Sequence, residues 1–265
     1  MRDQPTPTPR SRSGQALPKS GKSAELPSSP PQPSGGSNRL LYLLPADEAT
    51  WAWSHLERVP ARAGAVLAEP GEPLSHVYFP ESCAASLVNP TSEGVVEVGT
   101  VGNEGMVGLS SFLGGEAIPS RILWQISGTA QRMPASVFSD GVETRPTCRR
   151  IVLRYAHAFF VQVSQTAACN RVHDIERRCA RWLLMTHDRV GGADSFELTH
   201  VFLAFMLGVR RAGVTEAAGA LQDRGLIRYT RGKITIIDRA GLEDAACECY
   251  RVVRAHFERF IGTPA

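Results

Sequence analysis

The 265-residue chain contains no apolar run approaching the ~18 residues that a membrane-spanning helix needs. Its amino terminus also lacks the apolar core of a secretory signal, so a cytoplasmic protein without membrane contact is expected. Charge of one sign is missing too. There are 29 Lys and Arg against 26 Asp and Glu, a formal net charge of +3, so attraction to a polyanion must come from a local patch. The six cysteines, Cys83, Cys148, Cys169, Cys179, Cys247 and Cys249, form no Cys-x-x-Cys pair, which argues against a zinc site or a disulfide framework. Cys247-Glu248-Cys249 is the one close pair, and it reads as plain half-buried or surface thiols. The seven histidines, His55, His76, His157, His173, His187, His200 and His256, are widely spaced, with no His-x-His pair. A His-Glu-x-x-His helix, a Gly-x-Ser-x-Gly elbow and a phosphate-cradling loop are likewise lacking. These absences predict a protein that is not an enzyme and has no metal, cofactor or catalytic residue.

What is present lies mostly in the carboxy-terminal third. His200 to Gly219 has the layout of a helix-turn-helix. Ala204 falls where two crossing backbones come closest, and Gly208 where the connecting residue needs a left-handed conformation. Leu203, Leu207, Val209, Val214 and Ala217 supply an apolar wedge. The pattern leaves Arg210, Arg211, Thr215 and Glu216 on the outer face of the second helix, where they reach phosphates and base edges. After Gly225, Leu226 to Tyr229 and Ile234 to Asp238 read as two short strands around Thr230-Arg231-Gly232-Lys233. A hairpin after a helix-turn-helix is a winged helix. Arg228, Arg231 and Lys233 would then meet the backbone of a duplex with salt-sensitive affinity. The expected partner is double-stranded DNA, and the competing reading is an ordinary helical hairpin inside a globular protein.

Residues 1–38 hold eight of the 18 prolines together with many Ser and Gly residues. Such a segment cannot bury enough apolar surface to offset the entropy of ordering, so a disordered tail is expected. Residues 39–145 start with Leu40 to Pro45 and a helical stretch from Glu48 to Val59. They then read as short strands until about Phe138, at Val66–Ala68, Val77–Phe79, Ala84–Val88, Val95–Val98, Arg121–Ile126 and Thr129–Met133, separated by Gly- and Pro-containing turns. A compact antiparallel roll follows, either a sensor pocket or a plain sandwich.

Between Pro146 and Gly191 there is neither Gly nor Pro, and Thr147 is a reasonable cap for a long helix. Over 146–171, Ile151, Tyr155, Phe159 and Val163 recur at four-residue steps, and the predicted use of that stripe is pairing with its own copy in a homodimer. A second helix, Ile175 to Asp188, with Cys179 and Trp182 to Met185 on its inner face, opens the DNA-binding domain, residues 172–265.

The order roll, long helix, winged helix resembles the cAMP-receptor/Fnr (Crp/Fnr) superfamily of bacterial transcription regulators. The likeness runs from Leu40 to the carboxy terminus and rests on Gly71-Glu72 leading to Tyr78-Phe79, Gly105-Met106-Val107-Gly108, Leu198-Thr199-His200 through Gly208-Val209-Arg210-Arg211, and Leu221 to Ile227. It implies an α+β fold: a cyclic-nucleotide-binding-like antiparallel β-roll (jelly roll), a long dimerisation helix and a winged helix-turn-helix. It also implies a DNA-binding regulator whose paired recognition helices enter successive major grooves, with RNA polymerase as a further partner.

Departures from the family pattern bear on the effector, which stays unknown. The resemblance places the effector pocket at Gly105, Met106, Gly108, Ser120 and Arg121. Cyclic-nucleotide binders of the superfamily carry Gly-Glu before a short helix and Arg-Ser after it. Here Met106 follows Gly105, and the Arg-Ser position falls on Glu116-Ala117 or Pro119-Ser120. Met accepts a ribose hydrogen bond poorly, and neither Glu nor Pro neutralises a phosphate, so polar groups of the nucleotide would be left unpaired. Cyclic AMP is therefore not the expected ligand. The iron-sulfur branch needs amino-terminal cysteines, and none precedes Cys83; haem on His76, His157 or His173 is not expected either. The alternatives are a cyclic-nucleotide-responsive regulator and, in a different class, a ligand-binding protein with a cupin-like metal centre and no DNA.

Overall fold

The computed structural model describes residues 38–92, 94–115, 117–190 and 193–262. The expected tail lies outside these residues except for Asn38, which is buried. Its side-chain oxygen caps α1 (Arg39–Tyr42) by accepting from the Leu40 and Leu41 amides, and its amide donates to the carbonyls of Pro80 and Gly105. Asn38, which the composition assigned to the tail, is thus part of the folded region.

Helix α2 (Ala46–His55) is shorter than the helical reading to Val59. Glu57–Ala61 is a strand, β1, paired antiparallel with β7 (Gly128–Pro134), with Glu57 opposite Arg132. The partner lies 75 residues away in sequence, and the ladder from Glu57 to Ala61, with a 2.8 Å ion pair between Glu57 and Arg132 on it, overrides local helix preference. The other strands fall where the turns place them: β2 (Val66–Ala68), β3 (His76–Pro80), β4 (Ala84–Thr91), β5 (Gly94–Val101) and β6 (Arg121–Ile126). A single 3-10 turn, Leu109–Ser111, interrupts them. Two antiparallel sheets result, β1-β7-β3 and β2-β6-β4-β5. The interior between them is apolar and filled, with Trp124, Ile122, Val101, Val107 and Ala130 buried and Tyr78 edge-on to Trp124 at 5.8 Å. The strand reading to Phe138 is corrected. After Pro134 the chain turns into α3 (Ala135–Thr144), because Phe138 finds burial against Phe79, ring centroids 6.0 Å apart.

Helix α4 (Pro146–Val172) has Pro146 in its first turn, where the missing N–H costs nothing. Thr147 is not its cap. Both oxygens of Glu48, from α2, accept the amides of Thr147 (3.2 Å) and Cys148 (2.6 Å), so a distant carboxylate satisfies the helix start. The expected dimer stripe is also corrected. Ile151 and Tyr155 are buried within their own chain and Phe159 is half-buried, its ring against Gly99 of β5. The Tyr155 hydroxyl donates to the Met106 carbonyl at 2.9 Å, and its ring packs near Phe257. A four-residue step winds slowly around a 3.6-residue helix, and the roll covers the face that the stripe occupies. The outward positions are Leu153, His157, Phe160, Ser164 and Ala167, with Val163 half-buried beside them.

Helix α5 (Ile175–His187) starts at Asp174, whose carboxylate accepts the Arg177 amide. Strand β8 (Ser195–Glu197), α6 (His200–Leu207), α7 (Arg211–Asp223), β9 (Ile227–Thr230) and β10 (Lys233–Ile236) complete a winged helix with sheet order β8-β10-β9. The short strand β8 lacks enough residues to show an alternation and was not legible beforehand. Helices α8 (Arg239–Ala245) and α9 (Cys249–Ile261) follow, and α9 packs along α4.

A polar seam joins α5 to the roll. Trp182 donates to Glu97 at 2.7 Å, Gln125 to Thr186 at 2.9 Å, and Arg189 forms a 2.8 Å pair with Glu104, both side chains 5% exposed. Among the described residues no helix is long and apolar enough to cross a membrane.

Candidate nucleic-acid interface

Helix α6 ends at Gly208, whose φ of 61° is left-handed, and the amides of Gly208 and Val209 close its last turn. A Cβ at Gly208 would also lie 2.9 Å from Val96 of β5, so both backbone strain and the roll require glycine there. Arg178 of α5 donates to the Leu207 carbonyl, which holds the same helix end from the other side. Leu203, Ala204, Leu207, Val214 and Ala217 are buried and Val209 is half-buried, forming the wedge between the two helices.

This wedge leaves α7 with its first turn outward. Arg210 occupies the N-cap position but supplies no side-chain hydrogen bond to the helix, so the amides there and the positive end of the helix dipole face an incoming anion. Arg210, Arg211, Thr215 and Glu216 are all exposed. The Thr215 hydroxyl donates to the Arg211 carbonyl at 3.0 Å and lies 3.2 Å from His200 Nδ1. It is therefore less available than the sequence suggested.

The wing tip is a two-residue turn in which Arg231 (φ 49°) and Gly232 (φ 81°) are both left-handed, the geometry that matches strand twist in a tight hairpin. Arg231 is the only non-glycine at positive φ among the described residues. An arginine in that conformation costs roughly 1–2 kcal/mol, and in return its guanidinium stands clear of the sheet. Arg228, Arg231 and Lys233 are exposed. None of Arg210, Arg211, Arg228, Arg231 and Lys233 takes part in an ion pair among the described residues, whereas neighbouring Arg224 is tied to Glu176 at 2.8 Å.

One residue of this surface escaped sequence reasoning. His200 stacks on Tyr229 of the wing, centroids 4.1 Å apart, while its Nδ1 faces Thr215 of α7, so it couples the wing to the recognition helix. Burial, and then the Arg211 charge, lowers its pKa below the usual imidazole value. Only the pairing of β9 with β10 brings Tyr229 to it, and no local pattern announces that.

Residues 177–245 match the Crp-like helix-turn-helix domain. Solved structures extend the likeness to the whole architecture. FixK2 from Bradyrhizobium japonicum is 16% identical, with a TM-score of 0.62 over 72% of this chain and 98% of its own. A crp/fnr-family transcriptional regulator from Eubacterium rectale is 19% identical, TM-score 0.60, over 78% and 96%. The c-di-GMP-responsive global regulator CLP from Xanthomonas campestris is 16% identical, TM-score 0.57, over 72% and 99%. The chain has the β-roll, long helix and winged helix of the Crp/Fnr fold. No curated protein sequence matches it.

Within this Crp/Fnr fold the expected effector residues are largely engaged with their own chain. Tyr155 packs so closely beneath Gly105 that a Cβ there has no room. Met106 and Gly108 are buried, the latter against Val77. Ser120 donates to Asn89 Oδ1 at 2.5 Å, and Arg121 is paired with Glu69 at 2.8 Å. The Gly105 and Met106 end and the Ser120 and Arg121 end are thus held by separate partners; Glu116 lies outside the described residues.

The view of the cysteines as scattered thiols is corrected as well. Cys169 and His173 at the end of α4 meet Cys247 and Cys249 at the start of α9, and the four potential donor atoms lie within 4.8 Å of one another. The chain folds back on itself between them, which is why spacing alone kept them apart.

Proposed function

We propose that the protein is a DNA-binding transcription regulator of the Crp/Fnr type that acts as a homodimer on a near-palindromic site. The carrying observation is the set of exposed cations that have no ion-pair partner among the described residues, at the start of α7 and on the wing, within the region that matches the Crp-like helix-turn-helix domain. Arg210 and Arg211 meet phosphate and guanine edges, and Glu216 accepts from a cytosine amino group or orients Arg211. Arg228, Arg231 and Lys233 hold the backbone and carry no sequence information.

The pairing surface in this reading is the outward face of α4. Leu153 and Phe160 are 47% and 69% exposed, and with Ala167 they recur every seven residues, the period of two helices packing side by side. A second copy sets two α7 helices about one helical turn, ~34 Å, apart. Cyclic AMP is not the ligand in this reading, because its phosphate would have to displace Glu69 from Arg121. Calorimetry would overturn that point by showing micromolar cAMP binding that Arg121→Ala abolishes.

Selection of bound duplexes from random DNA by the full-length chain tests the whole. Inverted repeats with half-sites one turn apart, bound less tightly as salt rises, are expected. Enrichment of a single unrepeated half-site would overturn the homodimer, and no enrichment at any salt concentration would overturn the DNA reading.

A further inference from the structure

Cys169 lies on the last turn of α4 and His173, four residues on, is its C-cap, held over Cys169 by the 3.1 Å bond from its amide to the Cys169 carbonyl. Cys247 follows α8 and Cys249 opens α9, with the Tyr250 amide closing a turn onto the Cys247 carbonyl so that both thiols point the same way. The three thiols are free and buried, and the His173 side chain is 10% exposed. They form a patch of their own, separate from the apolar core.

The spacing is diagnostic. Cys169 Sγ lies 3.5 Å from Cys247 Sγ, and Cys249 Sγ lies 3.5 Å from His173 Nδ1. A tetrahedral zinc ion with Zn–S near 2.3 Å and Zn–N near 2.0–2.1 Å places two thiolates about 3.8 Å apart and a thiolate and an imidazole nitrogen about 3.6 Å apart. A [2Fe–2S] cluster puts two ligands on each of two irons and a [4Fe–4S] cluster one on each of four, so either would spread some of the four donors further apart than the 4.8 Å within which they all lie. The imidazole is already oriented: its other nitrogen, Nε2, faces the Glu248 carboxylate at 3.3 Å, the outer partner that a metal-binding histidine usually has. Gln165 donates to Cys249 Sγ at 3.1 Å.

We propose that Cys169, His173, Cys247 and Cys249 bind one thiophilic divalent cation, zinc(II) by coordination preference, in a closed tetrahedral Cys3His site that ties the end of α4 to the start of α9. Three thiolates and one Zn²⁺ leave a net charge of −1, and the compensating cations are at hand. Arg181 lies close enough to Cys169, and Arg178 to Cys169 and Cys247, for their charges to act on one another. Both arginines are more than nine-tenths buried, and the Nε of each has no hydrogen-bond partner. Buried guanidiniums left short of partners are costly beside neutral thiols and well placed beside an anionic metal centre. Because four protein ligands close the coordination shell, the site is structural and not catalytic. It sits where the long helix passes into the winged-helix domain, so the bound ion fixes that joint.

The test is Co(II) titration of the full-length chain, stripped with chelator and kept reduced under anaerobic conditions. The expected result is one equivalent per chain, with the visible bands of tetrahedral cobalt, thiolate-to-metal charge transfer in the near ultraviolet, and displacement by zinc. Cys249→Ser should abolish the charge-transfer band or weaken binding strongly. Glu248→Gln should weaken it about 10- to 100-fold with the spectrum unchanged. Absence of uptake, an octahedral cobalt spectrum, or uptake indifferent to Cys249→Ser would each overturn the site. If Cys249→Ser loses its helical circular dichroism, alkylation of the wild-type chain decides. Zinc should slow labelling of Cys169, Cys247 and Cys249 while leaving Cys83, Cys148 and Cys179 unaffected, and equal labelling with and without zinc overturns the proposal.

Discussion

Arg189 and Arg211 carry the same guanidinium in opposite surroundings. Arg189 is buried in the seam between α5 and the roll, where it meets Glu104, Gln162 and the Met185 carbonyl at 2.7–2.9 Å. Arg211 stands exposed at the start of α7 with no carboxylate within ion-pair distance among the described residues. A charge whose hydrogen bonds are all satisfied internally holds parts of the fold together, and one left in water is available to a partner. The same contrast separates the two ends of the molecule: the roll's signature residues are occupied with their own chain, while the winged helix leaves its own unoccupied.

That contrast is open to attack by mutation. The largest effect is expected at the seam. Glu104→Ala strips the carboxylate from a buried cation and should lower stability by about 3–5 kcal/mol in urea unfolding; a loss as small as that at a surface residue would mean that water reaches Arg189. The two faces of α4 come next. Phe160→Asp should leave the fold intact yet yield a monomer in sedimentation, and it should weaken binding to a twofold site by on the order of 10²-fold or more as the second contact is lost. An unchanged dimer would place the interface elsewhere.

On the proposed DNA surface, Arg211→Ala should cost roughly 1–3 kcal/mol and relax preference at one base pair, whereas Lys233→Ala should weaken all sequences alike and reduce the salt slope by about 1. Equal losses on specific and random duplexes for both variants would erase the division between helix and wing.

The smallest effect concerns Glu97. Burial pushes its carboxyl above the usual carboxylate range, although Ser86, Trp182 and Thr100 hydrogen-bond to it and Arg181 lies near. A folded-state pKa above the unfolded one means that the native state binds the proton more tightly. The stabilisation is complete below the ordinary carboxylate value and is lost as pH rises through the raised one. Melting temperatures should accordingly fall as pH rises above the ordinary carboxylate range, and Glu97→Gln should flatten that slope; parallel slopes would assign the titration to another group.

Much of the winged helix was legible in advance because its signals are local. Ala204, Gly208 and the turn at Arg231-Gly232 act within a few residues, and the wedge residues follow helical periodicity. Six of the seven strands of the roll were found from their turns. The misreadings share one cause, a decisive partner far away in sequence. Arg132 makes Glu57 a strand residue, Glu48 caps α4 in place of Thr147, Val77 and Tyr155 close in on the glycines at 105 and 108, and His200 acquires Tyr229.

Helix α4 shows the division most clearly. Its helical and apolar character are properties of the sequence, since nothing between Pro146 and Val172 interrupts the helical hydrogen bonds. Which side faces the roll and which faces outward was decided by the tertiary structure, because Ile151 and Tyr155 are no more apolar than Leu153 and Phe160, and only the packing of the sheets and α9 tells them apart. The four donors at its far end follow the same logic: two come from one helix turn and two from a segment more than 70 residues later, and chain folding alone sets the distance between them.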